Sequence, residues 1–460
     1  MMQLSEAAQA TMGQVLGEDI FFTSVGTDSR NIAPEQLFVA LHGENFDGHA
    51  YVRQAQEKGA AAALISTQQG NISPALLVKD TRLALGSLAG YWRAKFDIPL
   101  AAITGSNGKT TVKEMLSCIL RAAAGSDEAV LATQGNLNND IGLPLTLLKL
   151  RAWHRYAVTE MGMNHAGEIR YLTRLGRPTV ALVNNATTAH IGGLGTVEDI
   201  ANAKGEIFEG LAEDGVAIIN ADDAFAPLWK TLAAGKQVIT FGLANPSDVT
   251  ATYRLHADGS DVQMNSPQGD VDCNVEFRLP VPGLHNVRNA LAASAAALAM
   301  GVDKLDIAKG LASFGGVNGR LQQKAGLHGA LVIDDTYNAN PASMKAAIDV
   351  LAAQPGTRIM VMGDMGELGD DAPAMHAEIG RYARQAGLSG FYALGELSRQ
   401  AAEAFGAGAQ QADSPEAVFE AINSQLGQGT VVLVKGSRFM RMERVVNLIT
   451  TTTQENEGSH

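Results

Sequence analysis

A phosphate-binding motif near residue 105 carries the clearest chemistry in this sequence. An apolar run, Leu100 to Ile103, predicts a buried strand, and a glycine-containing loop and an amphipathic segment follow it directly. The glycines let backbone N–H groups point at an anion, and the amino end of a helix adds its positive dipole end. Lys109 would reach the β- and γ-phosphates, and the Thr110 hydroxyl would bind Mg²⁺. The sequence therefore predicts an ATP site made of Gly105, Ser106, Asn107, Gly108, Lys109, Thr110 and Thr111.

This loop departs from the general phosphate-loop motif at one position. The pattern GxxxxGK[ST] requires glycine where this chain has Ile103. The alternative interpretation is a Gly-Lys-Thr turn that merely caps a helix. The strand before the loop and the helical pattern after it favour the nucleotide site.

Ionisable residues that follow later strands are candidates for metal binding and catalysis. Glu160 ends the strand predicted for Tyr156 to Glu160, at the sheet edge where ligands bind in open α/β folds. It is therefore placed like the acidic residue that holds Mg²⁺ opposite a phosphate loop. His190 follows the strand predicted for Val180 to Val183, and a lone histidine is more often structural. Lys204 lies on a predicted helix among small and apolar neighbours, and it could be the second functional residue that a role for His190 requires.

Asparagine-rich segments form a second class of candidates. Asn136, Asn138 and Asn139 lie between glycines ahead of a proline, which predicts a polar binding loop, although such residues also make ordinary turns. Asn286 and Asn289 lie three residues apart, on one face of a predicted alanine-rich helix.

The first 82 residues contain loops dense in polar side chains. These loops suit a ligand rich in hydroxyls and phosphates, and the candidates are Ser29, Arg30, Gly43, Asn45, Asp47 and His49. The alternative is that Asp28-Ser29-Arg30 is simply a turn with a surface ion pair, which contributes little free energy. By themselves these residues do not identify a function.

Composition narrows the class of protein. A length of 460 residues predicts two to four domains, and a net charge of -13 argues against nucleic acid as the main partner. Two cysteines cannot form a disulfide framework, so we expect a reducing compartment. No apolar run approaches the length of a membrane span and no signal peptide is apparent, so we expect a soluble cytoplasmic protein.

Alternating strand and helix patterns predict an α/β protein of three domains. The predicted units are a small α/β domain over residues 1–82, a central phosphate-loop domain over 83–313 and a Rossmann-like domain over 314–460. The central domain should combine a parallel sheet with an antiparallel extension near 248–279. Gly315 and Gly316 form a candidate hinge before the third domain, where Asp335 ends the first strand on the ligand edge.

Taken together, these motifs resemble the Mur ligases, the ATP-dependent amino-acid ligases of bacterial cell-wall precursor assembly. The resemblance spans all three domains. Its strongest parts are Thr104 to Thr111, Glu160 to Gly162, Asn184-Asn185 through His190, Ala203 to Glu206, His285-Asn286 and Asp335 to Pro341. The phosphate loop of the family has no glycine at the position of Ile103, so that departure is expected of a member.

The resemblance implies peptide ligation through an acyl phosphate. Gly135 to Gly142, Lys204 to Phe208 and Gly363 to Gly369 most resemble the members that add D-Ala-D-Ala to UDP-MurNAc-tripeptide, giving the pentapeptide, ADP and phosphate. The alternatives are the sister ligase that adds a diamino acid, whose Asp-Asn-Pro-Arg signature we do not find, and a folylpolyglutamate synthase-like ligase. Two other classes are a regulatory NTPase, which leaves the outer domains unexplained, and a noncatalytic homologue.

The resemblance also implies residue roles. Lys109, Glu160, His190 and Lys204 would be catalytic, with two Mg²⁺ ions on Thr110, Glu160 and His190 and a carbamylated Lys204. Asn286 and Asn289 match adenine-side positions, and Arg320 and Asp335 match residues that close on phosphate and ribose. The first-domain candidates would hold the UDP-sugar, with further substrate contacts from Asn136, Asn138, Asn139, Asn338 and Asn340, the last two near D-Ala-D-Ala. We expect a monomer whose domains close around the nucleotide.

Overall fold

The computed structural model describes residues 1–43, 46–68, 72–187, 195–268 and 271–450. The first unit contains β1 (Met2–Gln3), α1 (Leu4–Thr11), β2 (Gln14–Leu16), β3 (Phe21–Phe22), β4 (Ser24–Gly26), β5 (Gln36–Val39), β6 (His42–Gly43), β7 (Phe46–Asp47), α2 (Val52–Glu57), β8 (Ala62–Ile65) and β9 (Ala75–Leu77). Five strands form a sheet in the order β2-β9-β8-β5-β4, in which only β2 runs antiparallel to its neighbour. The first unit is therefore a small, mostly parallel α/β layer.

The central unit is built on a parallel sheet in which the strand with the phosphate loop is internal. Its first part contains α3 (Thr81–Arg93), β10 (Leu100–Thr104), α4 (Lys109–Ala124), β11 (Val130–Ala132), α5 (Gly142–Leu147), β12 (Tyr156–Glu160), α6 (Glu168–Gly176) and β13 (Val180–Val183). Its second part contains α7 (Val197–Gly205), β14 (Val216–Asn220), α8 (Ala226–Leu232), β15 (Gln237–Phe241), β16 (Thr250–His256), β17 (Gly259–Gln268), β18 (Val271–Leu279), α9 (Leu284–Ala299) and α10 (Lys304–Ala312).

Six of these strands form the parallel sheet, in the order β11-β12-β10-β13-β14-β15. Strands β16, β17 and β18 form the predicted antiparallel extension. Because β10 lies between β12 and β13, the loops after all three strands open at one edge of the sheet. That edge carries the phosphate loop.

The third unit is a second doubly wound sheet. It contains β19 (Gln322–Ala325), β20 (Leu331–Asp335), α11 (Pro341–Ala352), β21 (Thr357–Gly363), α12 (Ala372–Gln385), β22 (Gly390–Leu394), α13 (Ser398–Phe405), β23 (Ala409–Ala412), α14 (Pro415–Asn423), β24 (Thr430–Lys435) and α15 (Glu443–Ile449). The strand order is β19-β20-β24-β21-β22-β23, and only the edge strand β19 is antiparallel. The predicted α/β fold with three sheet-based units is confirmed.

One hydrophobic core joins the first unit to the central unit. Leu37 and Leu64 of the first sheet belong to the same buried cluster as Leu85 and Leu88 of α3 and Leu100 of β10. The predicted domain boundary after residue 82 falls in the first turn of α3. Helices α4, α9 and α10 cover the other face of the central sheet, and the third unit has separate clusters on its two faces. The first two units therefore share a core, whereas the third has its own.

No helix in the described ranges combines the length and the apolar character that crossing a bilayer requires.

Because of the shared core, we expect Leu88→Ala to destabilise the first and central units together. Leu88 is fully buried in α3, and removing a buried leucine side chain costs about 2–5 kcal/mol of unfolding free energy. Hydrogen exchange measured by mass spectrometry should show loss of protection in both sheets. Leu83→Ala, on the same helix but 60% exposed, should change stability by no more than about 0.5 kcal/mol. Loss of protection confined to one unit would contradict the shared core.

Candidate active site

The phosphate loop has a backbone conformation that requires glycine. Gly108 precedes α4 with φ +81°, in the left-handed region that side chains rarely adopt. A Cβ there would lie 2.5 Å from Asn289 Oδ1 and 2.6 Å from Asn184 Nδ2. The loop thus packs closely against two amides, and α4 begins with its N–H groups directed at the space beyond the loop.

Two asparagines at the end of β13 hold the loop from behind. The Asn107 N–H donates to Asn185 Oδ1 over 2.8 Å, and Asn184 Nδ2 donates to the Asn107 carbonyl over 2.9 Å. The Ser106 N–H donates to the Asn185 carbonyl over 2.9 Å. These contacts fix the loop before any ligand arrives, which is the preorganisation that phosphate binding requires.

Lys109 bends back over the loop. Its Nζ donates to the Gly105 carbonyl over 2.7 Å. Burial lowers the pKa of Lys109, Arg320 lowers it further and Glu160 opposes both effects. A bound polyphosphate would supply the negative charge that this lysine lacks.

Four side chains meet in a hydrogen-bonded chain beside the loop. The Thr110 hydroxyl donates to Glu160 Oε2 over 2.8 Å, and Asn138 Nδ2 donates to Glu160 Oε1 over 2.8 Å. Arg320 Nη2 donates to Thr110 Oγ1 over 2.9 Å, and its guanidinium lies 4.2 Å from the centre of the Tyr337 ring. Glu160 and Arg320, from two other parts of the chain, therefore both bond to the Thr110 hydroxyl.

The oxygens of Thr110 and Glu160 fit a magnesium ion. Mg²⁺ prefers oxygen ligands and is commonly held by one or two protein groups together with water and substrate phosphates. Within the described ranges, no group of three or more His, Cys, Asp and Glu side chains could hold a metal by itself. His190, the third predicted metal ligand, lies outside the described residues.

Two buried asparagines of α9 form the opposite wall. Asn286 Nδ2 donates to the Pro282 carbonyl over 2.8 Å, and Asn289 Oδ1 accepts from Asn184 Nδ2 over 3.1 Å. Burial lowers the pKa of the adjacent His285 to about 4. Asn286, Asn289 and the neutral His285 give the α9 wall hydrogen-bonding groups that suit a purine base, and Arg288 of the same helix adds one positive charge to the cavity wall.

The third unit contributes residues from the ends of β20 and β24. Asp335 Oδ2 lies 2.6 Å from Lys435 Nζ, and Asp335 Oδ1 accepts from the Leu321 N–H over 3.1 Å. Lys435 also donates to the Asn338 carbonyl over 2.9 Å. Asp335 thus reaches the cavity already paired and oriented by its neighbours.

The Asn340 side chain makes two contacts in the structure. Its Oδ1 accepts from the Ser343 N–H over 2.9 Å and so caps α11, while its Nδ2 donates to Asn107 Oδ1 over 2.7 Å. The sequence placed Asn340 near the acceptor dipeptide. In the structure it contacts the phosphate loop, across the boundary between the second and third units, and its contact with the dipeptide stays a prediction.

These groups surround a cavity of about 670 Å³ between the ends of the two large sheets. The predicted site residues that line it are Ser106, Asn107, Gly108, Lys109, Thr110, Thr111, Asn136, Asn138, Glu160, Asn286, Asn289, Arg320, Asp335, Asn338 and Asn340. Gly105 lies just behind the wall as the partner of Lys109. Asn139 instead accepts from the Gly142 N–H over 2.8 Å at the start of α5. Most of the predicted nucleotide site is therefore assembled in one place.

Lys204 is buried on α7 with only 2% of its surface exposed. Burial lowers its pKa well below the ordinary value for lysine, and the positive charge of Lys109 lowers it further. Lys204 is thus an amine that readily loses its proton and lies within the electrostatic reach of the phosphate loop.

Those candidates of the first unit that the structure describes lie outside this cavity, and two of them form a local turn. Arg30 pairs with Asp28 through two contacts of 2.9 Å, which lowers the pKa of that carboxyl to about 2. The Ser29 hydroxyl donates to Gln54 Oε1 over 3.2 Å. The structure thus contains the surface ion pair that the alternative interpretation of Asp28-Ser29-Arg30 as a simple turn predicts. The Arg30 side chain is largely exposed.

His49 connects two loops of the first unit. It is 4% exposed, its Nδ1 lies 2.6 Å from Asp47 Oδ1, and its Nε2 accepts from the Ser66 N–H over 2.9 Å. With both ring nitrogens in use, His49 positions the loop and is not free for a ligand. Gly43 lies in the short β6–β7 hairpin, and Asn45 lies outside the described residues.

Several residues on the cavity wall were not predicted as site residues. They are Asn184, Asn185, Thr187, Asn220, Asp222, Asp223, His285, Arg288, Tyr337 and Lys435. Asn220 ends a buried strand, β14, and Asp222 and Asp223 follow it, at the same sheet edge as Glu160. The rule that polar residues at strand ends line the ligand edge could have found them.

Comparison with known proteins adds independent information. The model of the Mur ligase family catalytic domain matches residues 22–92, that of the middle domain matches 103–297 and that of the glutamate ligase domain matches 319–438.

Individual proteins match along nearly the whole chain. The UDP-N-acetylmuramoyl-tripeptide–D-alanyl-D-alanine ligase of Escherichia coli K12 is 42% identical, over 97% of this chain and 98% of its own. A crystal structure of MurF from Acinetobacter baumannii superposes with a TM-score of 0.88 at 40% identity, covering 97% of this chain and 98% of that one. MurF ligase from Thermotoga maritima in complex with ADP has a TM-score of 0.80 at 29% identity, covering 92% and 96%. With all three domain models matched in order and full-length relatives above 40% identity, this chain belongs to the Mur ligase family.

Proposed function

We propose that this protein ligates D-Ala-D-Ala to UDP-MurNAc-tripeptide, using ATP, in the synthesis of peptidoglycan precursors. The observation that carries the proposal is the full-length similarity to ligases of that name, together with a phosphate loop that opens into an interdomain cavity. The acceptor D-Ala-D-Ala would lie near Asn338 and Asn340, on the third unit. We assign residues 1–82 to the UDP-sugar, 83–313 to the nucleotide and 314–460 to the acceptor and to closure.

The reaction brings two anions together, and the cavity supplies groups that offset their repulsion. A terminal carboxylate oxygen of the tripeptide attacks the γ-phosphorus of ATP, and the bond to the bridging oxygen of ADP breaks. Lys109 and Arg320 provide positive charge on two sides of Thr110. Such a reaction depends mainly on positioning and electrostatic stabilisation.

The second step needs a free amine and a protected acyl phosphate. The amino group of D-Ala-D-Ala attacks the acyl carbon, loses a proton, and inorganic phosphate leaves with the electrons of the broken C–O bond. Because water would hydrolyse the acyl phosphate, closure of the third unit over the cavity would favour ligation. Asn340 and Arg320 already cross from the third unit and the hinge segment to the phosphate loop.

Thr110 and Glu160 would hold a Mg²⁺ ion on the nucleotide. When bound, the ion would neutralise phosphate charge during transfer. Asn138 fixes one carboxylate oxygen of Glu160 and Thr110 contacts the other, so the carboxylate cannot rotate freely. We also propose that His190 binds a second Mg²⁺.

Lys204 has the properties of a lysine that reacts with carbon dioxide. A neutral amine attacks CO₂ and loses a proton to give a carbamate, which turns a cation into an anion. The low pKa of buried Lys204 keeps its amine available, and the charge of Lys109 would stabilise the product. We propose that Lys204 is carbamylated and that its carbamate orients groups at the metal site.

The remaining proposals concern the state of the protein in the cell. We propose that the enzyme works as a monomer. We place the enzyme in the cytoplasm, where ATP and UDP-linked precursors are available.

The first test is phosphate release from ATP with UDP-MurNAc-tripeptide, in the presence and absence of D-Ala-D-Ala. We expect release to depend strongly on D-Ala-D-Ala and a UDP-linked pentapeptide to appear by mass spectrometry. Turnover with UDP-MurNAc-dipeptide and a diamino acid would instead identify the sister activity. Hydrolysis that ignores every acceptor would favour a nucleotide-dependent switch.

The carboxylate of Glu160 should matter through its charge. We expect Glu160→Gln to lower kcat by about 10²–10³-fold and to raise the Mg²⁺ concentration needed for half-maximal rate, because the amide cannot offset the charge of the metal. The surface variant Glu209→Gln, which loses only pairs with arginines of α6, should behave like the wild type. An unchanged Mg²⁺ dependence in Glu160→Gln would remove Glu160 from the metal site.

Carbamylation of Lys204 should be visible directly. With ¹³C-labelled bicarbonate, we expect a carbamate resonance in the wild type that Lys204→Met lacks and that the exposed-site control Lys230→Met retains. Because only the neutral amine reacts, the resonance and the activity should both fall as the pH drops through the lowered pKa of Lys204. A full resonance in Lys204→Met would assign the modification to another lysine.

A further inference from the structure

A second lysine of α4 is buried away from the nucleotide cavity. Lys113 lies one helical turn after Lys109, and only 1% of its surface is exposed. Its Nζ donates to the Thr133 carbonyl over 2.8 Å and forms an ion pair with Glu114. Lys113 does not line the cavity, so direct contact with phosphate does not explain it.

Thr133 connects this lysine to the proposed metal-binding carboxylate. It follows β11, and its N–H donates to the Val158 carbonyl of β12 over 3.0 Å. Its hydroxyl accepts from the Glu160 N–H over 3.0 Å. The carbonyl held by Lys113 thus belongs to the residue that fixes the backbone at Glu160.

Thr133 also begins the polar loop that reaches the other side of Glu160. Five residues later, Asn138 donates to Glu160 Oε1 over 2.8 Å, and its carbonyl accepts from the Gly162 N–H over 2.8 Å. The loop from 133 to 138 therefore leaves β11 and contacts the Glu160 segment twice, at Thr133 and at Asn138. A shift at Thr133 would move the backbone and the side-chain contact of Glu160 together.

A lysine in this position carries a cost that packing does not require. An ammonium taken out of water loses its solvation unless polar partners replace it, and an apolar side chain of similar length could fill the same space. Strand β11 is an edge strand of the central sheet. The carbonyl of Thr133, the residue after this strand, accepts from Lys113 Nζ, which comes from the helix that carries the phosphate loop.

We propose that Lys113 is a positioning residue that holds Glu160 and Asn138 in register with the phosphate loop through the Thr133 carbonyl. Lys109 of α4 would contact the nucleotide, and Lys113 of the same helix would position Glu160, the proposed metal ligand, through Thr133. The proposal rests on the proposed function only in taking Glu160 as the metal-binding carboxylate.

The test compares ADP binding by calorimetry with and without Mg²⁺, which does not require turnover. We expect Lys113→Met to reduce the gain in ADP affinity that Mg²⁺ provides by about 10-fold or more, as losses of outer-sphere support do. Affinity for metal-free ADP should change little, because the phosphate loop and Lys109 remain. Lys113→Arg should restore most of the gain, since a guanidinium can still donate to the carbonyl.

A matched control separates this role from general stabilisation. Lys149 is an exposed lysine whose Nζ donates to Gln134 Oε1 over 2.8 Å, on the same loop but without a link to Glu160. Lys149→Met should therefore keep the full Mg²⁺ effect. If Lys113→Met lowers the melting temperature but leaves the Mg²⁺ effect intact, the proposal is wrong.

Two further results keep the proposal testable. If Lys113→Met does not fold, Thr133→Val provides a second test, because it removes the hydroxyl that accepts from the Glu160 N–H. We expect this variant to show the same loss of the Mg²⁺ effect. A full Mg²⁺ effect in Thr133→Val would overturn the proposal. A Lys113→Met defect in Mg²⁺-dependent ADP binding, alongside wild-type protein that ignores D-Ala-D-Ala, would disprove the proposed function and leave the positioning role supported.

Discussion

The hydroxyl of Thr110 is the point on which the site depends. It donates its proton to Glu160 and accepts from Arg320, so one oxygen atom joins the phosphate-loop helix, the neighbouring strand and the segment that leads to the third unit. A hydroxyl can do this because it carries one donor and two lone pairs. Any ligand that contacts Thr110 therefore acts on three structural elements at the same time.

The two large sheets explain why such distant residues meet. Each is parallel at its centre, and each directs the loops at its carboxyl edge toward the shared cavity. Thr110 and Arg320 are 210 residues apart in the chain, and Asn107 and Asn340 are 233 apart. The first unit shares its core with the central unit, whereas the third unit has its own core. A change in the width of the cavity would therefore come mainly from movement of the third unit.

Sequence predicted those features that depend on local pattern. The phosphate loop, the strand end at Glu160 and the Asn286–Asn289 face follow from short-range spacing, and the α/β fold and the Mur ligase family are confirmed. The partners of Asn340, the burial of His49 and the contact between Lys113 and Thr133 depend on tertiary packing between separate elements. Spacing along the chain carries no information about such pairs.

Local charge, rather than net charge, decides what this cavity binds. The chain carries a net charge of -13, yet Lys109 lies in the site and has a lowered pKa, and the pKa of Lys204 is lowered by burial and then by the charge of Lys109. In both cases burial is the main cause, because a buried ammonium group loses its solvation by water. A triphosphate, a substrate carboxylate and a carbamate would each give such an amine a negatively charged partner. The free energy that would otherwise be lost in burying amines is thus recovered when the anionic reactants bind together.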